Sequence, residues 1–316
     1  MDRNSIDWYG PMPAVVTPFA DNGAIDDAAF CENLEGILSA GATGFIVGGC
    51  TGEFWAMTTA ERAHIFRIAT RAVNGRATVI AGTSAIRVDD VIELTRAARD
   101  AGCDGALVLP PFFVELTDAE IFRHFERLSA AVDLPIMLYN SPQFCSNNAI
   151  TPELSVQLAE LDTVVAIKES AGSWPNFHRT LMAVVDRLRV FCGPSTAYGV
   201  PAVAAGADGF VDCFPNVWRP GGLDLYHAAA AGELDRARAL QETGVKLTHL
   251  FTTEGRTLYS ATKAGMALVG YPGGVPRPPL EPTGPAETEG LRRGLAELGL
   301  LGPSDAAAKS SDRLAV

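Results

Sequence analysis

Lysine is scarce in this chain. Of 25 basic residues only four are lysines, at positions 168, 246, 263 and 309. Cations as a whole are outnumbered by 37 carboxylates, giving a formal charge of −12. That balance argues against nucleic acid or an anionic membrane as the main partner, since both require clustered positive charge. Small anions remain admissible because they need only a local site. The six cysteines contain no C-x-x-C pair, and the five histidines show no H-x-H or H-x-x-x-H spacing. No metal site is therefore expected, and the cysteines, scattered through apolar segments, read as reduced thiols of a cytoplasmic protein. The opening MDRNSIDWYGPMP carries no apolar stretch suited to a signal peptide, and no later run reaches transmembrane length.

What is present is enough for a large core: 316 residues, 47% hydrophobic and 20% charged. This length fits two domains or one α/β barrel. Short apolar runs recur at Ala14–Thr17, Phe45–Gly48, Thr78–Ala81, Ala106–Leu109, Pro135–Tyr139, Val164–Lys168, Arg189–Gly193 and Phe210–Cys213. Most are spaced by about 25–33 residues, the length of one βα unit. Helical periodicity fills the gaps. Thr58 with Glu61 forms a capping box, Ile65, Ile68, Ala69 and Ala72 mark a buried face, and Asn74-Gly75 is a stop. A recurrent phrase, Ala40-Gly-Ala-Thr-Gly44, Ala101-Gly-Cys-Asp-Gly105 and Ala205-Gly-Ala-Asp-Gly209, ends a helix, turns on glycine and enters a strand. Eight continuously apolar strands imply a parallel sheet covered by helices. The expected fold is a (β/α)8 TIM barrel over residues 1–220, with a C-terminal helical extension at 221–302 and a flexible tail at 303–316. A doubly wound open sheet has the same periodicity. Beyond Pro220 the pattern is helical, at about 223–270 and 286–300.

Three features can carry chemistry. Lys168 closes the apolar run Thr163-Val-Val-Ala-Ile-Lys168, at the strand end where such barrels place their active sites. Burial lowers a lysine's pKa and supplies the neutral amine that attacks a ketone to form a Schiff base. The plainer reading pairs it with Glu169 or another carboxylate. Tyr139 ends the preceding strand and can shuttle protons to and from the adduct, or can simply pack with its hydroxyl in water. The turn Gly48-Gly49-Cys50-Thr51-Gly52-Glu53 offers amides and a hydroxyl to a carboxylate, or is only a tight βα turn.

Together, Gly49-Cys-Thr-Gly-Glu53, Tyr139-Asn-Ser-Pro142 and Ile167-Lys-Glu-Ser170 resemble the dihydrodipicolinate synthase / N-acetylneuraminate lyase family. The similarity runs from Thr17-Pro18-Phe19 through Gly206-Ala-Asp-Gly209 and Asn216 to Val275-Pro-Arg-Pro-Pro-Leu280. The resemblance implies a (β/α)8 barrel with a helical extension, a homotetramer, and class I aldolase chemistry without metal or organic cofactor. On that resemblance Lys168 matches the Schiff-base lysine and Tyr139 the acid/base tyrosine. Cys50, Thr51 and Gly52 fall in the turn that binds the 2-oxo acid carboxylate, and Val211 falls beside the pyruvate methyl. Three departures stand out. Cys50 replaces a hydroxyl, Phe112 a tyrosine lent across a subunit interface, and Phe144 an arginine that holds the aldehyde's carboxylate. The expected activity is condensation or cleavage of a 2-oxo acid such as pyruvate with an aldehyde, the partner being less polar than aspartate semialdehyde. Phe54, Trp55 and Phe113 are further candidates for an apolar wall, and Arg256 is a candidate to replace the missing arginine. Alternatives are a hydro-lyase on a 3-deoxy-2-oxo sugar acid such as 5-dehydro-4-deoxyglucarate, a true 4-hydroxy-tetrahydrodipicolinate synthase, and a non-catalytic 2-oxo acid binding protein.

Overall fold

In the computed structural model, which describes residues 1–301, eight parallel strands alternate with helices and close into a barrel. The strands are β1 (Gly10–Pro11), β2 (Gly44–Val47), β3 (Thr78–Gly82), β4 (Gly105–Val108), β5 (Ile136–Asn140), β6 (Val164–Glu169), β7 (Arg189–Cys192) and β8 (Gly209–Phe210). Pairing runs β1-β8-β7-β6-β5-β4-β3-β2. The ring shuts because Ala14 bridges Ile46, with Ile46 N–H donating to Pro13 and Val15 N–H to Ile46. An open doubly wound sheet is thereby excluded. The expected flexible tail at 303–316 lies outside the described residues.

Around the barrel lie α1 (Asp27–Ser39), α2 (Thr59–Val73), α3 (Val88–Asp100), α4 (Asp118–Ala131), α5 (Pro152–Leu158), α6 (Trp174–Val184), α7 (Ser195–Ala204) and α8 (Arg219–Ala230). Three more helices follow: α9 (Leu234–Thr252), α10 (Leu258–Leu268) and α11 (Pro285–Glu297). The helical stretch expected at 223–270 is thus three helices. It breaks where Gly232 and the pair Glu254-Gly255 take positive φ.

Local signals act as the chemistry demands. Thr58 and Glu61 form the reciprocal capping box, and Asn74 ends α2 in the left-handed region at φ 49°. The repeated Ala-Gly phrase is a C-terminal cap. In each copy the second glycine-flanking residue reaches back five positions, Ala42 to Ile37, Cys103 to Ala98 and Ala207 to Ala202. Those three side chains are buried, which plugs the helix end into the core. The later glycines are needed for closeness: a Cβ on Gly105 would lie 2.3 Å from the Trp8 ring that fills the barrel floor. The first strand pairs at Gly10–Pro11, earlier than the apolar run Ala14–Thr17. Proline at 11 and 13 limits ladder donors, so only single bonds continue the edge beyond it.

Two cores result from strand alternation. Phe45, Val47, Val79, Leu138 and Ile167 face the helices, whereas Ile46, Ile80, Leu107, Met137, Tyr139, Phe191 and Val211 fill the barrel interior. A register shift between Ile136 and Met137 places both Val165 and Ala166 inward, and Lys168 then follows on the inner face. Among the described residues no helix is long and apolar enough to cross a membrane.

Candidate active site

Strand register puts Tyr139 directly opposite Lys168. The lysine Nζ lies over the Tyr139 ring, 4.0 Å from its centroid, and both side chains are buried. Glu169 points to the other face, where it accepts hydrogen bonds from Asn140 at 2.6 Å and the Ala171 amide at 2.7 Å. A structural Lys168–Glu169 pair is therefore not formed. Asn140 also clasps Ile150 through both side-chain atoms, fixing the loop that carries Ser141, Gln143 and Phe144.

A cavity of about 200 Å³ opens above Lys168 at the C-terminal ends of the strands. Of the residues singled out from sequence, Cys50, Thr51, Tyr139, Phe144, Lys168 and Val211 line it, and Gly52 and Phe112 do not. The turn holding Cys50 and Thr51 is tight. Gly48 takes φ 66°, and a Cβ on Gly82 would sit 2.3 Å from the Gly48 carbonyl. Gly52 lies within this turn, its carbonyl accepting a bond from Thr17 Oγ1 at 2.9 Å. Among the described residues the Cys50 and Thr51 amides donate to no backbone carbonyl. Phe112 stands outside the cavity lining, edge-on to Phe54 at 5.9 Å, and Phe54 in turn meets Trp55. Phe113 is 84% exposed with φ 80° and turns away. Arg256 is buried among α9 and α11, donating to the Leu250 carbonyl and Glu254, so it supplies no cation to the cavity.

Several lining residues were not singled out from sequence. Asp212, directly after Val211, accepts hydrogen bonds from Ser195 and from the amides of Cys213 and Phe214. It and Lys168 are the charged residues of the lining. Ser141, Gln143, Ser170, Thr196, Thr248 and Thr252 add hydroxyls and an amide around the mouth. Tyr259 arrives from α10, its ring 5.2 Å from Trp55. Asp212 was legible as a neighbour of a flagged strand end; Tyr259 was not, because nothing local marks a helix that returns to the barrel mouth.

A buried ion pair holds that helix. Lys263 Nζ lies 2.5 Å from Glu53 and also donates to the Val275 carbonyl. The second Glu53 oxygen accepts the Arg277 amide, so α10 and the segment after it are pinned to the carboxylate turn. Burial pulls the Lys263 pKa to about 8 against the raising effect of Glu53.

Electrostatics suit amine chemistry. Burial drives the Lys168 ammonium below its ordinary pKa, opposed by Cys50, Asp212 and Cys213. Burial likewise raises the Tyr139 phenol well above its usual value, and the Cys50 thiol rises for the same reason. Both thus keep their protons at neutral pH, and Asp212 shares the cavity lining with the amine. Among the described residues no group of three or more His, Cys, Asp or Glu side chains is gathered to hold a metal ion.

A parallel barrel with a buried lysine and tyrosine paired at its catalytic end defines a class I aldolase-type lyase. Comparison places it further: the model of the dihydrodipicolinate synthetase family matches residues 7–297, and the chain belongs to that family. A Rhizobium meliloti protein named "uncharacterized DapA-like lyase" is 35% identical over 295 residues, covering 93% of this chain and 97% of the relative. The 4-hydroxy-tetrahydrodipicolinate synthase of Syntrophobacter fumaroxidans is 32% identical, covering 93% and 100%. Among solved structures, YagE of E. coli K12, a family member in complex with pyruvate, superposes with TM-score 0.88 at 26% identity, covering 93% of this chain and all of that one.

Proposed function

We propose that Lys168 attacks the carbonyl of a 2-oxo acid such as pyruvate, and that the iminium so formed serves as electron sink for making or breaking a C–C bond to an aldehyde. The observation that supports this reading is the buried Lys168 amine against the Tyr139 ring at the strand ends, with its charge disfavoured. The C–N bond forms as the carbonyl electrons move to oxygen, and Tyr139 delivers the proton that converts this oxygen to a leaving water. The free amides of Cys50 and Thr51, with the Thr51 hydroxyl, hold the carboxylate, and Val211 packs the methyl end. The pyruvate complex of YagE supports the choice of 2-oxo acid.

The aldehyde partner is read from the mouth. Lys168 is spent on the 2-oxo acid, which leaves Asp212 as the other charged residue of the lining, and hydroxyls and one amide surround it. A second carboxylate finds no cation there. We therefore assign an uncharged aldehyde able to accept hydrogen bonds. Aspartate semialdehyde and dicarboxylic sugar acids fit less well. Six unpaired cysteines support a cytoplasmic protein. Exposed apolar side chains, Ile86, Phe113 and Val114 on loops after neighbouring strands and Val156 and Met182 on adjacent helices, support an oligomer, which we take to be a homotetramer. The test is borohydride reduction in the presence of pyruvate followed by peptide mapping. A pyruvyl label on Lys168 is expected. A label on Lys246 or Lys263 instead, or none, removes the mechanism.

A further inference from the structure

A second cleft, of about 590 Å³, lies between α9 and α11 and shares no lining residue with the active-site cavity. Helix α9 is the wall between the two. Thr248 and Thr252 face the catalytic side, and His249, Leu250 and Thr253 face the second cleft. Two glycines one turn apart inside α11 shape it, at positions where glycine weakens a helix. A Cβ on Gly290 would lie 2.8 Å from Arg256 Nη1, and one on Gly294 would lie 2.5 Å from the Leu250 side chain. Their absence lets the Arg256 guanidinium rest against the α11 backbone. That side chain is only 3% exposed. Its Nε donates to the Leu250 carbonyl at 2.6 Å and its Nη1 to Glu254 at 2.9 Å. Among the described residues Nη2 donates to no group, although a buried guanidinium ordinarily uses both arms of its fork.

The other charges of the lining sort by partner. Lys246 is paired with Glu242 at 2.8 Å, and Glu254 with Arg256. Among the described residues Arg293, the His249 ring and the Glu297 carboxylate form no ion pair and no side-chain hydrogen bond. We propose that this cleft binds a small oxyanion, a phosphate monoester or a carboxylate, held by Arg256 Nη2, Arg293 and His249. Guanidinium groups match the oxygens of such an ion through charge-assisted bonds. Arg256 makes its bond in a buried setting that salt screens little, whereas Glu297 is exposed and opposes it weakly. The proposal does not depend on the chemistry at Lys168. A bound ion ties α11 to the turn between α9 and α10, and that turn leads to Tyr259 at the active-site cavity.

Inorganic phosphate and malonate serve as probes, titrated calorimetrically into the full chain against sodium chloride of equal ionic strength. Saturable binding at roughly millimolar probe is expected, and the tighter probe shows which of the two anions the cleft suits. Arg293→Glu and Arg256→Gln should each weaken it ~10-fold or more, and Glu297→Gln should tighten it. Arg293 and Glu297 are exposed, so their variants keep the test alive even where Arg256→Gln fails to fold. Hydrogen exchange locates the ion, with slowing expected at residues 249–256 and 290–298. No saturation by either probe, or an affinity unmoved by Arg293→Glu and Glu297→Gln, overturns the assignment. Protection confined to the turn at residues 48–53 overturns it as well, because the probe is then held in the active-site cavity.

Discussion

The charge of the cavity mouth makes the sharpest forecast. Aspartate semialdehyde brings a carboxylate to the second half of the site, where Phe144 is half-exposed at the rim and Asp212 is the nearest formal charge besides Lys168. A hydrogen bond to a charged group is worth about 1.5–3 kcal/mol, and a bidentate arginine contact uses two matched bonds. Taking about 3 kcal/mol for the missing contact, at 1.36 kcal/mol per decade, the condensation should run about a hundredfold below an arginine-bearing site. Phe144→Arg restores a cation without disturbing the core, since the native ring is 47% exposed. It is expected to raise kcat/KM for aspartate semialdehyde ~10-fold or more and leave a neutral hydroxyaldehyde unimproved. A coupled assay with both aldehydes reads this directly. Wild-type kcat/KM for aspartate semialdehyde above ~10⁴ M⁻¹s⁻¹, ordinary enzyme efficiency, would refute the reasoning.

Four further outcomes follow from the same structure. Tyr139→Phe should lower kcat by ~10²–10⁴-fold while the Lys168 adduct still forms slowly; retention of more than about half the rate would make the tyrosine structural. Lys263→Met strands the Glu53 carboxylate in the interior and should cost about 3–5 kcal/mol in urea titrations, partly restored by adding Glu53→Gln. His124, buried on α4 with its Nε2 unpartnered, has its pKa pulled down to about 4 by burial. Between pH 6.5 and 4 the unfolded chain therefore binds a proton that the folded one refuses, so stability falls as pH drops, by about 3 kcal/mol; comparing His124→Leu with wild type over this range should isolate that loss. Phe113→Asp should reduce the mass of the assembly in sedimentation, and an unchanged mass would show that this patch is not an interface.

The barrel was legible because each βα unit repeats the same signals: an apolar strand, a capped amphipathic helix and a glycine stop. Lys168 and Tyr139 were legible for a related reason, since a polar residue ending an apolar strand stands out against its surroundings. The edge of β1 was not, because proline-limited pairing moves the strand away from its most apolar run. Phe112 was read as replacing a residue lent across a subunit interface, and within its own chain its ring packs edge-on to Phe54. Tyr259, Thr248 and Thr252 were invisible for a deeper reason. They belong to helices packed across the barrel mouth, and helical periodicity tells which face is apolar without telling what that face covers. The ion pair between Glu53 and Lys263 makes this placement, linking residues 210 positions apart.

That linkage has a consequence for how the chain is made. The first strand has no partner on one side until β8 exists, Val16 waits for Asn216, and Glu53 waits for Lys263 and for Arg277, 224 residues downstream. At synthesis rates of 5–20 residues per second, the interval between the two ends is on the order of ten to forty-five seconds on the ribosome. For about the second half of it, the nascent protein carries both the reactive lysine strand and the carboxylate turn, while the roof over them is not yet fully translated. A message truncated after α9 would therefore carry the nucleophile strand while its Glu53 carboxylate lacks both Lys263 and the Arg277 amide. Quality control could recognise such a product by that flaw alone.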